Sequence, residues 1–128
     1  MLDTNIVSDL VRNPNGAVGR KIAEVGDAGL AVSVIVAAEL RFGGAKRGSV
    51  ALIRQIEAIL CGLWVVPFES PADAEYAAIR AELERQGRPI GGNDLFIAAH
   101  ALALGAPLVT RDIAEFSRVP RLRLLNWI

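Results

Sequence analysis

Short apolar runs alternate with stretches of helical periodicity along this 128-residue chain, and that alternation limits the fold more than any other feature. LAVS (30–33), WVVPF (64–68), APLVT (106–110) and LRLLNW (122–127) are too short for helices and read as strands, as does MLD at the start. Between them, residues 5–12, 16–26, 35–46, 49–60 and 71–87 carry helical patterns. IVAAELRFGGAK (35–46) is expected to stop at Gly43-Gly44, and PADAEYAAIRAELERQG (71–87) opens on Pro and closes on Gly. NDLFIAAHALALG (93–105) is apolar enough to require a helix packed inside the protein, capped by Asn93. Strands separated by helices predict an α/β fold, with helices on both faces of a parallel sheet of four or five strands. The length fits one domain, residues 1–128. In such folds ligands bind beyond the carboxyl ends of the strands, which makes the residues just after each strand the candidates for chemistry.

Composition narrows that chemistry. There is one His and one Cys, so zinc sites built from those ligands are excluded. His100 lies mid-helix in AAHALAL, the setting of a core histidine with one nitrogen satisfied, and Cys61 in AILCGLW is expected to be a buried, inert thiol. If the protein is an enzyme, carboxylates must do the work. Apolar residues make up 52% of the chain, yet no apolar run reaches the length of a membrane span. MLDTNIV lacks the basic start and long apolar stretch of a signal peptide, which predicts a cytoplasmic protein. Basic and acidic residues balance at 14 each. Gathering four acids at one site would leave the remaining surface with a positive surplus, compatible with a polyanionic substrate.

Four acids meet the positional test. Asp3 closes the first strand, Glu39 lies in the helix after the second, Asp94 opens the apolar helix, and Asp112 follows the fourth strand. Glu39 is the most informative, because Ile35, Val36, Phe42 and Gly43 are its helical neighbours and a charge on an apolar face needs a partner or a metal. Arg41 is not that partner, since residues two apart on a helix face away from each other. Taken singly, Asp3 reads as a helix cap and Asp112 as a capping box with Glu115 in D-I-A-E. Asp9 shares a polar face with Arg12 and stays outside the site. Together, four carboxylates within a few ångströms repel strongly, and a divalent cation relieves the conflict. Oxygen-only ligation points to Mg²⁺ or Mn²⁺, ions that are completed by substrate phosphate oxygens and suit phosphodiester hydrolysis.

MLDTN, SVIVAAELRFGGAKRGS and IGGNDLFIAAHALALGAPLVTRDIAEFSRVP, in this order and spacing, resemble PIN-domain ribonucleases, most closely the VapC toxins of type II toxin–antitoxin pairs. The likeness extends over essentially the whole chain. It implies a three-layer α/β/α sandwich and a Mg²⁺- or Mn²⁺-dependent endoribonuclease that leaves 5′-phosphate and 3′-hydroxyl ends. The family's acids fall on Asp3, Glu39, Asp94 and Asp112, with Asp3, Glu39 and Asp94 holding metal and Asp112 placing a second ion or the attacking water. The resemblance also implies a homodimer silenced by a cognate VapB-like antitoxin, with DNA bound only through that antitoxin. One departure is local: family members often end in Pro-Gly-Leu and Glu-Asn-Trp, whereas Arg121 stands here for the turn glycine and Leu125 for the acid.

Asn5, Thr110 and Arg88 are candidates for contacts to substrate or water, and Arg85, Lys46, Arg47 and Arg111 extend the basic rim. Few aromatics argue against stacking along a long single strand, which leaves a structured RNA such as tRNA as the expected target. Apolar stripes at Ile53, Ile56 and Leu60 and at Tyr76, Ile79 and Leu83 are expected to be mostly core, with some surface left for a second copy or an antitoxin. Two other readings stay open: a carboxylate- and Mg²⁺-dependent phosphatase, disfavoured because Asn5 stands where a second Asp is needed, and an idle binding module with the same fold.

Overall fold

The computed structural model describes residues 1–26 and 29–128. Its elements alternate as the sequence pattern requires: α1 (Thr4–Arg12), α2 (Ala17–Val25), β1 (Ala31–Ser33), α3 (Val34–Arg47), α4 (Val50–Cys61), β2 (Trp64–Val66), α5 (Ala72–Arg85), α6 (Gly92–Leu104), β3 (Leu108–Val109), α7 (Ile113–Phe116) and β4 (Leu124–Leu125). The short helix α7 follows Asp112, where D-I-A-E predicts a helix start, and each strand is trimmed relative to its apolar run.

The strands form two parallel pairs, β1 with β2 and β3 with β4. The expected first strand is reduced to a single parallel bridge between Leu2 and Val109. Residues 1–3 nevertheless lie between the two pairs, because Leu2 N donates to Ala31 O at 2.8 Å and Asp3 N to Val109 O at 2.9 Å. Chain order therefore reverses on either side of residues 1–3, which is the arrangement that opens a crevice at the carboxyl ends of strands.

The core is built around α6, whose Leu95, Ile97, Ala98, Ala99 and Ala101 are all buried. It packs against α5, where Ile79 and Leu83 are buried, and Tyr76 stacks on Phe96 with ring centroids 4.4 Å apart. Burying side chains of this size stabilises the fold by about 1.5–3 kcal/mol each. His100 is a core histidine, 2.8 Å through Nδ1 from the Ser33 hydroxyl, and burial lowers its pKa. Cys61, by contrast, is exposed, since α4 turns it away from the buried Ile56 and Leu60. Asn93 does not cap α6: Gly91 holds the cap position, without a side-chain cap.

Gly43-Gly44 does not stop α3, which runs on to Arg47 and ends at Gly48 in the left-handed region. The reason lies in packing. A Cβ on Gly44 would stand 3.2 Å from both Ile53 Cγ1 and Ile56 Cδ1, so this glycine lets α4 approach closely, while Gly43 faces open space. Gly19 is tighter still, its missing Cβ falling 2.0 Å from the Pro14 carbonyl oxygen. Gly19→Ala is expected to lower unfolding free energy by roughly 1–3 kcal/mol through overpacking. Gly43→Ala, mid-helix and unobstructed, is expected to raise it by about 0.5–1 kcal/mol. Urea denaturation of both variants checks the pair, and a destabilised Gly43→Ala would contradict the continuous helix.

Candidate active site

Asp3 ends the extended segment and begins α1, so its carboxylate stands at the crevice between residues 1–3 and β3. It is buried, and its oxygens are spoken for: Oδ1 accepts from Thr4 N at 2.8 Å, and Oδ2 from the Thr110 hydroxyl at 2.7 Å and Asn5 Nδ2 at 3.1 Å. The expected cap is therefore real and coexists with membership of the acidic cluster. Burial raises the Asp3 pKa, the Thr110 and Thr4 hydrogen bonds oppose the rise, and the charges of Glu39 and Asp112 add to it.

Thr110 and Asn5 support Asp3. Thr110 is fully buried, and its hydroxyl also accepts from Asp112 N at 3.0 Å. Asn5 spans the crevice, since its Oδ1 accepts from Arg111 N at 3.0 Å. Arg88 is exposed in the loop before α6 and makes no side-chain hydrogen bond or ion pair among the described residues. Of the other basic candidates, Arg85 pairs with Glu82, and Arg111 lies 3.8 Å from Asp9, which takes the place expected for Arg12. Arg41 is bonded to Glu57 across α3 and α4, and Glu39 has no cationic partner among the described residues.

Glu39 turns toward α1, where its Oε1 accepts from the Thr4 hydroxyl at 2.6 Å. It lines a groove of about 190 Å³ between α1, α3 and α4, together with Thr4, Ser8, Arg12 and Arg47. Asp94 sits half-buried in the first turn of α6, favoured there by the helix dipole. Oxygens of Asp94, Asp112 and Glu115 lie within 4.8 Å of one another. Glu115 is the residue that sequence reasoning missed. Its position in D-I-A-E suggested a reciprocal capping box, but only half of one forms: Asp112 Oδ1 accepts from Glu115 N at 3.4 Å, while Glu115 Oε1 reaches across to Gly91 N at 2.9 Å.

Asp94 carries the electrostatic signature of this crowding. Its pKa is pushed up to about 7, by burial first, then by the charge of Glu115, the charge of Asp3, a hydrogen bond with Glu115 and the charge of Glu39. Asp3, Glu39, Asp94, Asp112 and Glu115, from four separated segments, thus share one electrostatic environment. The donor set is all oxygen, which fits a hard divalent ion. Bonds of about 2.1 Å to such an ion reach oxygens spaced like those of Asp94, Asp112 and Glu115, directly or through water.

Residues 1–122 match the PIN domain family. Ribonuclease VapC2 of Rickettsia felis is 38% identical over 99% of this chain and 96% of that protein. The tRNA(fMet)-specific endonuclease VapC of Shigella flexneri is 34% identical over 99% of the chain and 96% of its own length. The VapBC2 complex of Rickettsia felis, bound to a DNA fragment from its promoter, contains a chain that superposes with a TM-score of 0.93, at 35% identity, over 100% of this chain and 98% of that one. The α/β fold is that of a PIN domain. The chain belongs to that family, within its VapC group.

Linkage turns the Asp94 shift into a stability prediction for the metal-free protein. The folded state holds a proton on Asp94 up to about pH 7, whereas the unfolded chain releases it near 3.8. Between those values the native state binds more protons, so this group erodes stability as pH rises from about 4 to 7. With chelator present, thermal midpoints of Asp94→Asn are expected to lack this component and to exceed those of the unaltered protein near neutrality. Midpoints of the two proteins that stay parallel across that range would contradict the crowded site.

Proposed function

We propose that the chain is a Mg²⁺- or Mn²⁺-dependent endoribonuclease, the toxin of a type II toxin–antitoxin pair, acting in the cytoplasm as one α/β/α domain over residues 1–128. In this reading, residues 1–3 join the two strand pairs into a single central sheet. The observation that carries it is the convergence of five carboxylates at the carboxyl ends of residues 1–3 and β3. An idle module has no physical reason to keep such a cluster, because mutual repulsion costs stability.

Asp3, Glu39 and Asp94 are proposed as metal ligands, with Asp112 and Glu115 beside Asp94. When bound, a divalent ion neutralises charge on the scissile phosphate and acidifies a water for hydrolysis. Thr110, Thr4 and Asn5 hold the Asp3 carboxylate in place, and Oδ1, which accepts a single hydrogen bond, keeps a lone pair for a cation. Asp94 gives up its proton as positive charge arrives, so cation affinity rises with pH through about 7. Arg88 and Arg111 are proposed to meet RNA phosphates, the former exposed on the loop that leads to Asp94.

A structured RNA such as tRNA is the proposed substrate, supported by the tRNA(fMet)-specific relative. A VapB-like antitoxin is the proposed partner and the route to DNA, as in the related VapBC complex. Phe42, Val50 and Ile53, exposed on α3 and α4, supply apolar surface for it or for a second copy in a homodimer. No helix among the described residues is long and apolar enough to cross a membrane.

Purified protein incubated with total RNA and with initiator tRNA is expected to cut only when Mg²⁺ or Mn²⁺ is added, and sequencing of new 5′ ends locates the sites. Asp94→Asn is expected to slow cleavage by about a hundredfold or more, equivalent to the several kcal/mol a catalytic metal supplies. Metal-independent cutting, or an undiminished Asp94→Asn, would rule this reading out.

A further inference from the structure

The loop 86–91 delivers Asp94 to the site, and it is tied down from one side by the segment that carries Asp112 and Glu115. α7 itself is anchored, because Phe116 and Val119 are buried. From this anchored segment two side chains reach the loop. Glu115 Oε1 accepts from Gly91 N at 2.9 Å, and Arg118 Nη1 donates to Pro89 O at 2.9 Å, a contact between residues 29 apart in the chain. Arg118 Nε is buried and makes no hydrogen bond among the described residues, so the guanidinium is partly desolvated to make this contact. The loop begins at Gly87 in the left-handed region and has few backbone ties of its own, Arg88 N to Leu83 O among them.

We propose that Arg118 is a positioning residue: by clamping the Pro89 carbonyl, it holds the loop against the α7 segment and sets the separation of Asp94 from Glu115 and Asp112. Arg118 touches neither substrate nor ion. This inference rests on the cluster being a cation site, as proposed above, and adds a determinant of its affinity outside the carboxylates. Geometry and charge make opposite demands here. On Coulombic grounds alone, deleting a positive charge near an acidic cluster strengthens cation binding. Loss of a clamp weakens it, because the ligand oxygens no longer start at a shared distance.

Mn²⁺ binding, followed by electron paramagnetic resonance of the free ion, separates these cases without relying on activity. Arg118→Ala is expected to bind Mn²⁺ about tenfold more weakly, the scale of losing an outer support of a metal site. Arg118→Lys, which keeps the charge and one donor, is expected to recover part of that loss. Arg121→Ala serves as control, since Arg121 pairs with Glu75 on α5 and is expected to leave the affinity unchanged. Unchanged or tighter binding by folded Arg118→Ala overturns the clamp while leaving the cation site standing. Absence of Mn²⁺ binding by the unaltered protein overturns both.

Discussion

Everything at the site depends on the pairing of residues 1–3 with β3. Asp3 N bonds to Val109 O and Val109 N to Met1 O, and the Thr110 hydroxyl then closes on Asp3 one step further along. This brings together chain segments more than a hundred residues apart, where the order of strands reverses. Asn5 ties the same two ends through Asp3 and Arg111 N. With that seam formed, α1 must leave beside α3, which presents Glu39, and α7 must leave beside α6, which presents Asp94. Hydrogen bonding within the seam offsets part of the cost of burying Asp3 among other acids.

Each support has a distinct job. The Thr4 hydroxyl restrains Glu39, Thr110 restrains Asp3, and the α7 segment restrains the approach to Asp94. Neutral hydroxyls and amides dominate this scaffold, so the carboxylates are oriented without being neutralised. Of the cationic residues nearby, Arg41 is bonded to Glu57, while Arg12 and Arg47 line the Glu39 groove without an ion pair to it among the described residues. A site left with surplus negative charge is a site open to a cation.

Much of this arrangement is legible in the amino-acid order. Apolar runs placed the strands, and the rule that ligands gather beyond strand ends selected Asp3, Glu39, Asp94 and Asp112, all of which the fold brings to one crevice. What escaped has physical causes. Glu115 was read as serving its own helix terminus, because a four-residue pattern carries no information about a loop 24 residues away. Gly43-Gly44 was read as a break, because local propensity counts glycine against a helix, whereas Gly44 is needed for Ile53 and Ile56 to seat against α3. The burial of Thr110 follows from its contact with Asp3 and not from its neighbours in sequence, so it too lies beyond a local pattern. Cys61 was read as buried from its apolar setting, yet α4 has only one face to bury.

The Ser33–His100 contact couples two of the acid-bearing helices through a single imidazole. Ser33 caps α3 by accepting from Ile35 N, so its hydroxyl proton is free to point at His100 Nδ1, on α6. A neutral imidazole can make this contact in either sense, accepting the hydroxyl proton at Nδ1 or donating Nδ1–H to the remaining lone pair of the hydroxyl. Burial makes the ring a weaker base than free histidine, with a backbone bond to Pro67 and the charge of Glu69 opposing, which favours the neutral form. The helix of Glu39 and the helix of Asp94 are thus joined by a buried polar contact as well as by apolar packing.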